Sequence, residues 1–213
     1  IYTRSRRMMF DARRPMVIDN EDLEHLCEEL SDISSVLTQL VPGLSIGFKE
    51  ISQTLDKDGE AATVTMLTAY RDGKELPLRD ESDGVRKIIS VLSLIIAAFN
   101  EQSVTVAIDE FDAGIFEYLL GEILQSMEES GKGQFIFTSH NLRPLEVINK
   151  KFLYFTTTNP QNRYIRLKNI SATNNLRDTY FREIILCEQE EEIYNKTKKF
   201  KIIAALKKAG GLR

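Results

Sequence analysis

The run Val104-Thr-Val-Ala-Ile-Asp-Glu110 ends an apolar, β-branched stretch in two adjacent carboxylates, and thirty residues beyond Glu110 a second apolar run ends in Thr138-Ser-His140. At a strand end, one carboxylate can hold Mg2+, directly or through water, while the next orients and deprotonates an attacking water. Two neighbouring carboxylates repel each other without a cation, so a metal is the simplest resolution. A neutral imidazole at His140 can donate a hydrogen bond to a terminal phosphate and accept one from the water network. Taken singly, each feature has a plainer explanation. Acidic pairs follow many strands, and a histidine is more often a structural hydrogen-bonding group than a catalytic one.

Two further segments bear on the same chemistry. Asp112-Ala-Gly114 follows the acids directly, and a glycine there permits close approach of a partner's backbone, although Asp112 could simply cap the next helix. Glu81-Ser-Asp-Gly-Val-Arg-Lys87 opens a long apolar helix and sets a hydroxyl and free N–H groups at the positive end of its dipole, which suits a phosphate. The plainer role for Ser82 or Asp83 is an N-cap. The phosphate loop G-x-x-x-x-G-K-[ST] does not occur: Gly73-Lys74 is followed by Glu75, and Gly131-Lys132 by Gly133.

The elements that must position these residues follow from periodicity. Residues 1–18, with Arg4, Arg6, Arg7, Arg13 and Arg14, show no clean period and read as a connector from an upstream region, as does a first residue that is not Met. Asp19 or Asn20 can cap a helix carrying Leu23, Leu26, Leu30, Ile33, Leu37 and Leu40, which Pro42-Gly43 stops. Strands are expected over 44–55, 61–70 and 75–79, and the Asp58-Gly59 and Asp72-Gly73 turns make them an antiparallel meander. A mostly buried helix spans 85–100, and strand 103–108 is apolar throughout, as expected when both faces are covered. A helix over 115–129 with Phe116, Leu119, Leu120, Ile123, Leu124 and Met127 on one stripe leads through Gly131-Lys-Gly133 to strand 134–138. Strand, helix, strand with short connections predicts a parallel pair, and ligands gather beyond the carboxyl ends of such strands. Strands over 151–156 and 164–167 and helices over 176–186 and 188–209 complete the chain.

With 213 residues, 42% of them hydrophobic, the chain can bury a core without staples. Cys27 and Cys187 are too far apart for a metal-ligand spacing or a disulfide framework and are expected to be buried thiols in a reducing compartment, the cytoplasm. No stretch is long enough to span a bilayer, and no signal peptide is visible. A net charge of -4 argues against a generally basic nucleic-acid binder, while the arginines at 4–14 and the lysines at 196–208 leave local phosphate contact open.

In their joint order these segments resemble the second half of the ABC ATPase superfamily, and more closely the SMC-like and OLD-like bacterial AAA-family ATP-binding proteins associated with phage defence. Residues 81–87 look like the family's signature, 107–115 like its acidic strand and D-loop, and 135–143 like its switch-histidine strand. The likeness covers 82–167 well and the flanks by texture alone. It implies an α/β, parallel-sheet P-loop NTPase half without its phosphate loop, preceded by a helix and β-meander and followed by helices. The domain divisions it suggests are 1–18, 19–80, 81–170 and 171–213.

The resemblance further implies ATP and Mg2+ as cofactors: Asp109 holds the metal, Glu110 polarises water and His140 contacts the γ-phosphate. Ser82 and Gly84 would bind the γ-phosphate of nucleotide held by a second subunit, with Asp112 lining the dimer interface. The implied partners are an N-terminal half carrying the phosphate loop, a second copy joined through ATP-sandwiched heads, and an effector protein or nucleic acid, with no membrane. Glu81 and Asp83 depart from the commonest signature, since an acid beside a phosphate is unfavourable unless it points away. Two other functions compete. One is a non-catalytic assembly module with relic ATPase motifs; the other is a metal-dependent nuclease, which lacks the further convergent acids of a two-metal centre.

Overall fold

A computed structural model describes residues 11, 14–167, 176–186, 191–195 and 197–210. Arg4, Arg6, Arg7, Arg13, Cys187 and Lys196 lie outside that range. The chain divides into two compact units, Ile1–Asn141 and Leu142–Arg213.

The first unit opens with β1 (Met16–Asp19), α1 (Asn20–Leu40), β2 (Leu44–Leu55), β3 (Ala61–Arg71) and β4 (Lys74–Pro77). The meander is as expected, but Met16–Asp19 belongs to it rather than to a connector. β1 pairs antiparallel with β3, setting Val17 opposite Val64, on the side of β3 that also receives β4. Asp72 and Gly73 both take left-handed backbone (φ 50° and 74°), the pairing of residue types that a two-residue hairpin requires, and Arg71 pairs with Lys74 across it. Leu23, Leu26, Leu30, Ile33 and Leu37 recur at helical spacing on α1 and are buried, as are Leu44 and Ile46 of β2 and Leu67 and Ala69 of β3. α1 packs on β2, so one helix stripe and one sheet face form this part of the core. Asp19 stands at the N-cap position without a side-chain cap bond; Asn20 instead accepts from the Thr63 hydroxyl at 2.8 Å.

Next come α2 (Asp83–Asn100), β5 (Thr105–Ile108), α3 (Glu117–Ser130) and β6 (Gln134–Phe137). β5 and β6 are parallel, with Ile108 opposite Phe137, as the strand-helix-strand order predicts. The expectation that β5 is covered on both faces fails: Val106 and Ile108 are buried while Thr105 and Ala107 are exposed. Phe116 also leaves the predicted stripe, because α3 begins only after it and its ring stays 74% exposed. Cys27 of α1 is exposed, contrary to the buried thiol expected. It borders a groove with Leu23, Glu24, Glu28, Glu50 and Gln53, where partial burial and the Glu50 carboxylate push its thiol pKa up.

The second unit holds α4 (Pro144–Val147), β7 (Phe155–Thr156), β8 (Tyr164–Ile165), α5 (Leu176–Leu186) and α6 (Lys199–Ala209). The strands expected over 151–156 and 164–167 shrink to an antiparallel pair of two residues each. A 3-10 turn at Lys150–Phe152, capped by the Asn149 side chain on the Lys151 N–H (3.1 Å), consumes the first part. The final helix starts at Lys199, not 188, and residues 191–195 are not helical. No helix among the described residues is long and apolar enough to cross a membrane.

Candidate active site

At the carboxyl end of β5 the chain must bury Ile108 and Phe111 and leave two acids between them outside. Phe111 is fully buried, its ring edge-on to Phe135 (5.2 Å) and Phe137 (5.8 Å) of β6. Asp109 and Glu110 are exposed as a result. Glu110 takes left-handed backbone, φ 47°, which costs a residue with a Cβ on the order of 1 kcal/mol and persists only where neighbours hold it.

Those neighbours come from the residue after β6. The Thr138 N–H donates to the Ile108 carbonyl (3.1 Å) and the Phe111 N–H to the Thr138 carbonyl (3.0 Å), carrying the pairing past the strand ends. The Thr138 hydroxyl accepts from the Glu110 N–H at 2.8 Å and donates to Asp109 Oδ1. Asp112 returns the connection: its two carboxylate oxygens accept from the His140 N–H, each at 3.2 Å, and one also accepts from the Asn141 N–H at 3.0 Å. Asp112 is therefore no side-chain cap for α3. Its side chain is spent on the histidine turn. The His140 Nε2 lies 3.6 Å from Glu110 Oε1, and both side chains face solvent, 86% and 60% exposed.

The start of α2 adjoins the same turn. Ser82 caps the helix, its Oγ accepting from the Val85 N–H at 3.3 Å. A Cβ on Gly84 would lie 2.0 Å from the Gly114 carbonyl oxygen, and Gly114 itself has φ 75°, so both glycines are demanded by close approach of two backbones. The two awkward acids are answered within the chain: Glu81 lies 3.6 Å from Arg71 and Asp83 pairs with Arg86.

The structure thus brings Asp109, Glu110, Asp112 and His140 together and sets Gly84 against Gly114 of the turn that follows the acids, while Ser82 is placed only as the cap of α2. The groove beside Cys27 includes none of these residues. Sequence reading missed Phe111 and Thr138. A lone aromatic after the acids, with Phe135 and Phe137 in register on the partner strand, was the available signal for the first. Nothing local announces the second.

Among the described residues, no three His, Cys, Asp or Glu side chains converge as metal ligands. Mg2+ keeps several waters and is commonly held by one or two carboxylates plus substrate phosphates, so it needs no such cluster. With one Asp109 oxygen engaged by Thr138, its second carboxylate oxygen is the donor this arrangement offers.

Residues 23–146, more than half of the chain, match the family model described as "AAA domain, putative AbiEii toxin, Type IV TA system". No curated protein sequence matches. Among solved structures, the chain is similar to an Smc head bound to the C-winged helix domain of ScpA (16% identity, 58% of this chain and 36% of that one, TM-score 0.43). It is also similar to a chain from a structure of SMC ATPases concerned with ATP-driven dimerization and DNA-stimulated activation (15%, 79% and 98%, 0.49). A third is the Pyrococcus furiosus Smc head domain with an extended coiled coil bound to the C-terminal domain of ScpA (17%, 58% and 33%, 0.37). The chain spans about a third of the length of the first and third of these.

Proposed function

Since the chain belongs to this AAA-domain family, we propose that it is the C-terminal part of an ATP-binding and hydrolysing head of ABC type, the phosphate loop being supplied from outside these 213 residues. The observation that carries this reading is the approach of His140 Nε2 to Glu110 Oε1, 3.6 Å, across the ends of two parallel strands. A water between the carboxylate and a terminal phosphate would give its proton to Glu110, while the imidazole of His140 holds the phosphate oxygens and orients the water. Asp109 would hold Mg2+, which, when bound, supplies charge neutralisation on the phosphate oxygens. In this reading the exposed side chains of Glu110 and His140 are where nucleotide and the second head would cover the site.

Ser82 and Gly84 would face nucleotide carried by a second copy, with Asp112 near the same interface, so that ATP clamps two heads and hydrolysis releases them. The arginine partners of Glu81 and Asp83 support this by neutralising the acids at the helix start. Head closure would control an effector protein or nucleic acid, and a role in phage defence agrees with a family described by a toxin–antitoxin system. In the full-length protein, Glu110→Gln should lower ATP turnover by about a hundredfold or more while ATP binding persists. Wild-type turnover in that variant would remove Glu110 from its role.

A further inference from the structure

We propose that Thr138 is the positioning residue of the acid pair, a hydroxyl clamp that fixes Glu110 in its left-handed backbone conformation and sets the rotamer of Asp109. The inference rests on the hydrolytic reading of the site and deepens it. Glu110 is one of two described residues other than glycine with positive φ, and the other, Asp72, sits in a hairpin turn where that conformation is routine. Glu110 lies in the turn after β5, where its carbonyl accepts from the Ala113 N–H at 3.0 Å, but it is not part of a two-residue hairpin. The one side chain that bonds the Glu110 backbone among the described residues is Thr138, whose Oγ1 accepts from the Glu110 N–H at 2.8 Å.

The hydroxyl has one proton to donate and uses it on Asp109 Oδ1, so a single side chain on β6's extension fixes both acids of β5's extension. The bond to Asp109 leaves that carboxylate one directed oxygen, and the bond to Glu110 aims the following carboxylate toward His140, two residues beyond Thr138. Valine has the shape of threonine without its hydroxyl and would leave the Glu110 N–H with no partner from this side chain. Serine keeps the hydroxyl and loses only a methyl group. Released from the clamp, Glu110 would relax toward ordinary extended backbone and turn its carboxylate away from the imidazole.

The test compares wild type, Thr138→Val, Thr138→Ser and Glu110→Gln in the full-length protein, by steady-state ATP hydrolysis and by amide hydrogen exchange of the apo protein. Thr138→Val is expected to lower kcat by about ten- to a hundredfold with KM for ATP within about twofold. It should also speed exchange at the Glu110 amide by about tenfold or more while amides of α1 are unchanged. Thr138→Ser should restore both. Wild-type exchange at Glu110 in Thr138→Val would overturn the clamp, and so would a kcat loss that serine fails to rescue. If Glu110→Gln turns over like wild type, the hydrolytic reading fails instead, and the exchange comparison still decides whether Thr138 holds Glu110.

Discussion

Gly84→Ala is the substitution for which ordinary helix energetics and this structure predict opposite signs. Glycine is about 1 kcal/mol worse than alanine in a helix, and replacing it at a compatible φ stabilises by about 0.4–1 kcal/mol. Gly84 lies in the first turn of α2 and needs no left-handed backbone, so that rule alone forecasts a more stable protein. The structure forecasts the reverse. The new Cβ would stand 2.0 Å from the Gly114 oxygen and 3.0 Å from its carbonyl carbon. Both are backbone atoms of a residue that is itself at φ 75°, and restoring contact to about 3.4 Å means moving the turn or the helix by over an ångström. A clash with fixed backbone belongs at the upper end of overpacking costs, about 3 kcal/mol, which outweighs the propensity gain and leaves a net loss of about 2 kcal/mol. Urea unfolding of wild type and Gly84→Ala measures it, with Gly47→Ala as control, since a Cβ there meets only the Tyr70 ring at 3.4 Å. A Gly84→Ala protein as stable as wild type, or more so, would refute the close approach of α2 to the Asp112–Gly114 turn.

Two further outcomes follow from burial and charge. Phe111→Ala removes a fully buried ring from its edge contacts with Phe135 and Phe137 and should destabilise by about 3–5 kcal/mol in chemical denaturation, whereas a loss under about 1 kcal/mol would mean the acids are not anchored from behind. In the second unit, hydrogen bonds from Arg177 and Arg143, each 2.8 Å, hold the Glu146 carboxyl below the usual glutamate range. A depressed folded pKa adds stability above the unfolded value, about 4.3, and that stability is lost as pH falls through the folded value. Thermal unfolding of wild type should therefore decline more steeply below about pH 4.3 than that of Glu146→Gln, and parallel declines would show that the pair of arginines does not matter.

Particular residues show what sequence reading reached and where it stopped. The hairpin at Asp72-Gly73 is legible because its turn chemistry is local, and the described residues Leu176–Leu186 are helical, as the helix-forming run predicts. The parallel pair followed from short connections around one helix. β1 is not legible: Met16–Asp19 is four residues long, follows an arginine-rich run, and pairs with Ala62–Thr65 far along the chain. At the site, Asp109, Glu110 and His140 stood out by type and order. The two side chains that lock them across the strands, Thr138 and Asp112, act through backbone N–H groups that leave no trace in residue type. The place of Gly84 at a helix start is legible in the sequence, whereas its contact with Gly114 is a second demand that only the fold discloses.

If Glu110 and His140 act on one water, a double-mutant cycle in the full-length protein reads their coupling. ATP turnover is compared in wild type, Glu110→Gln, His140→Ala and the double variant. Groups that act as a unit are not additive, so the double variant should be no more than about threefold slower than the slower single variant. If the two losses multiply, the residues work independently and the shared site is contradicted.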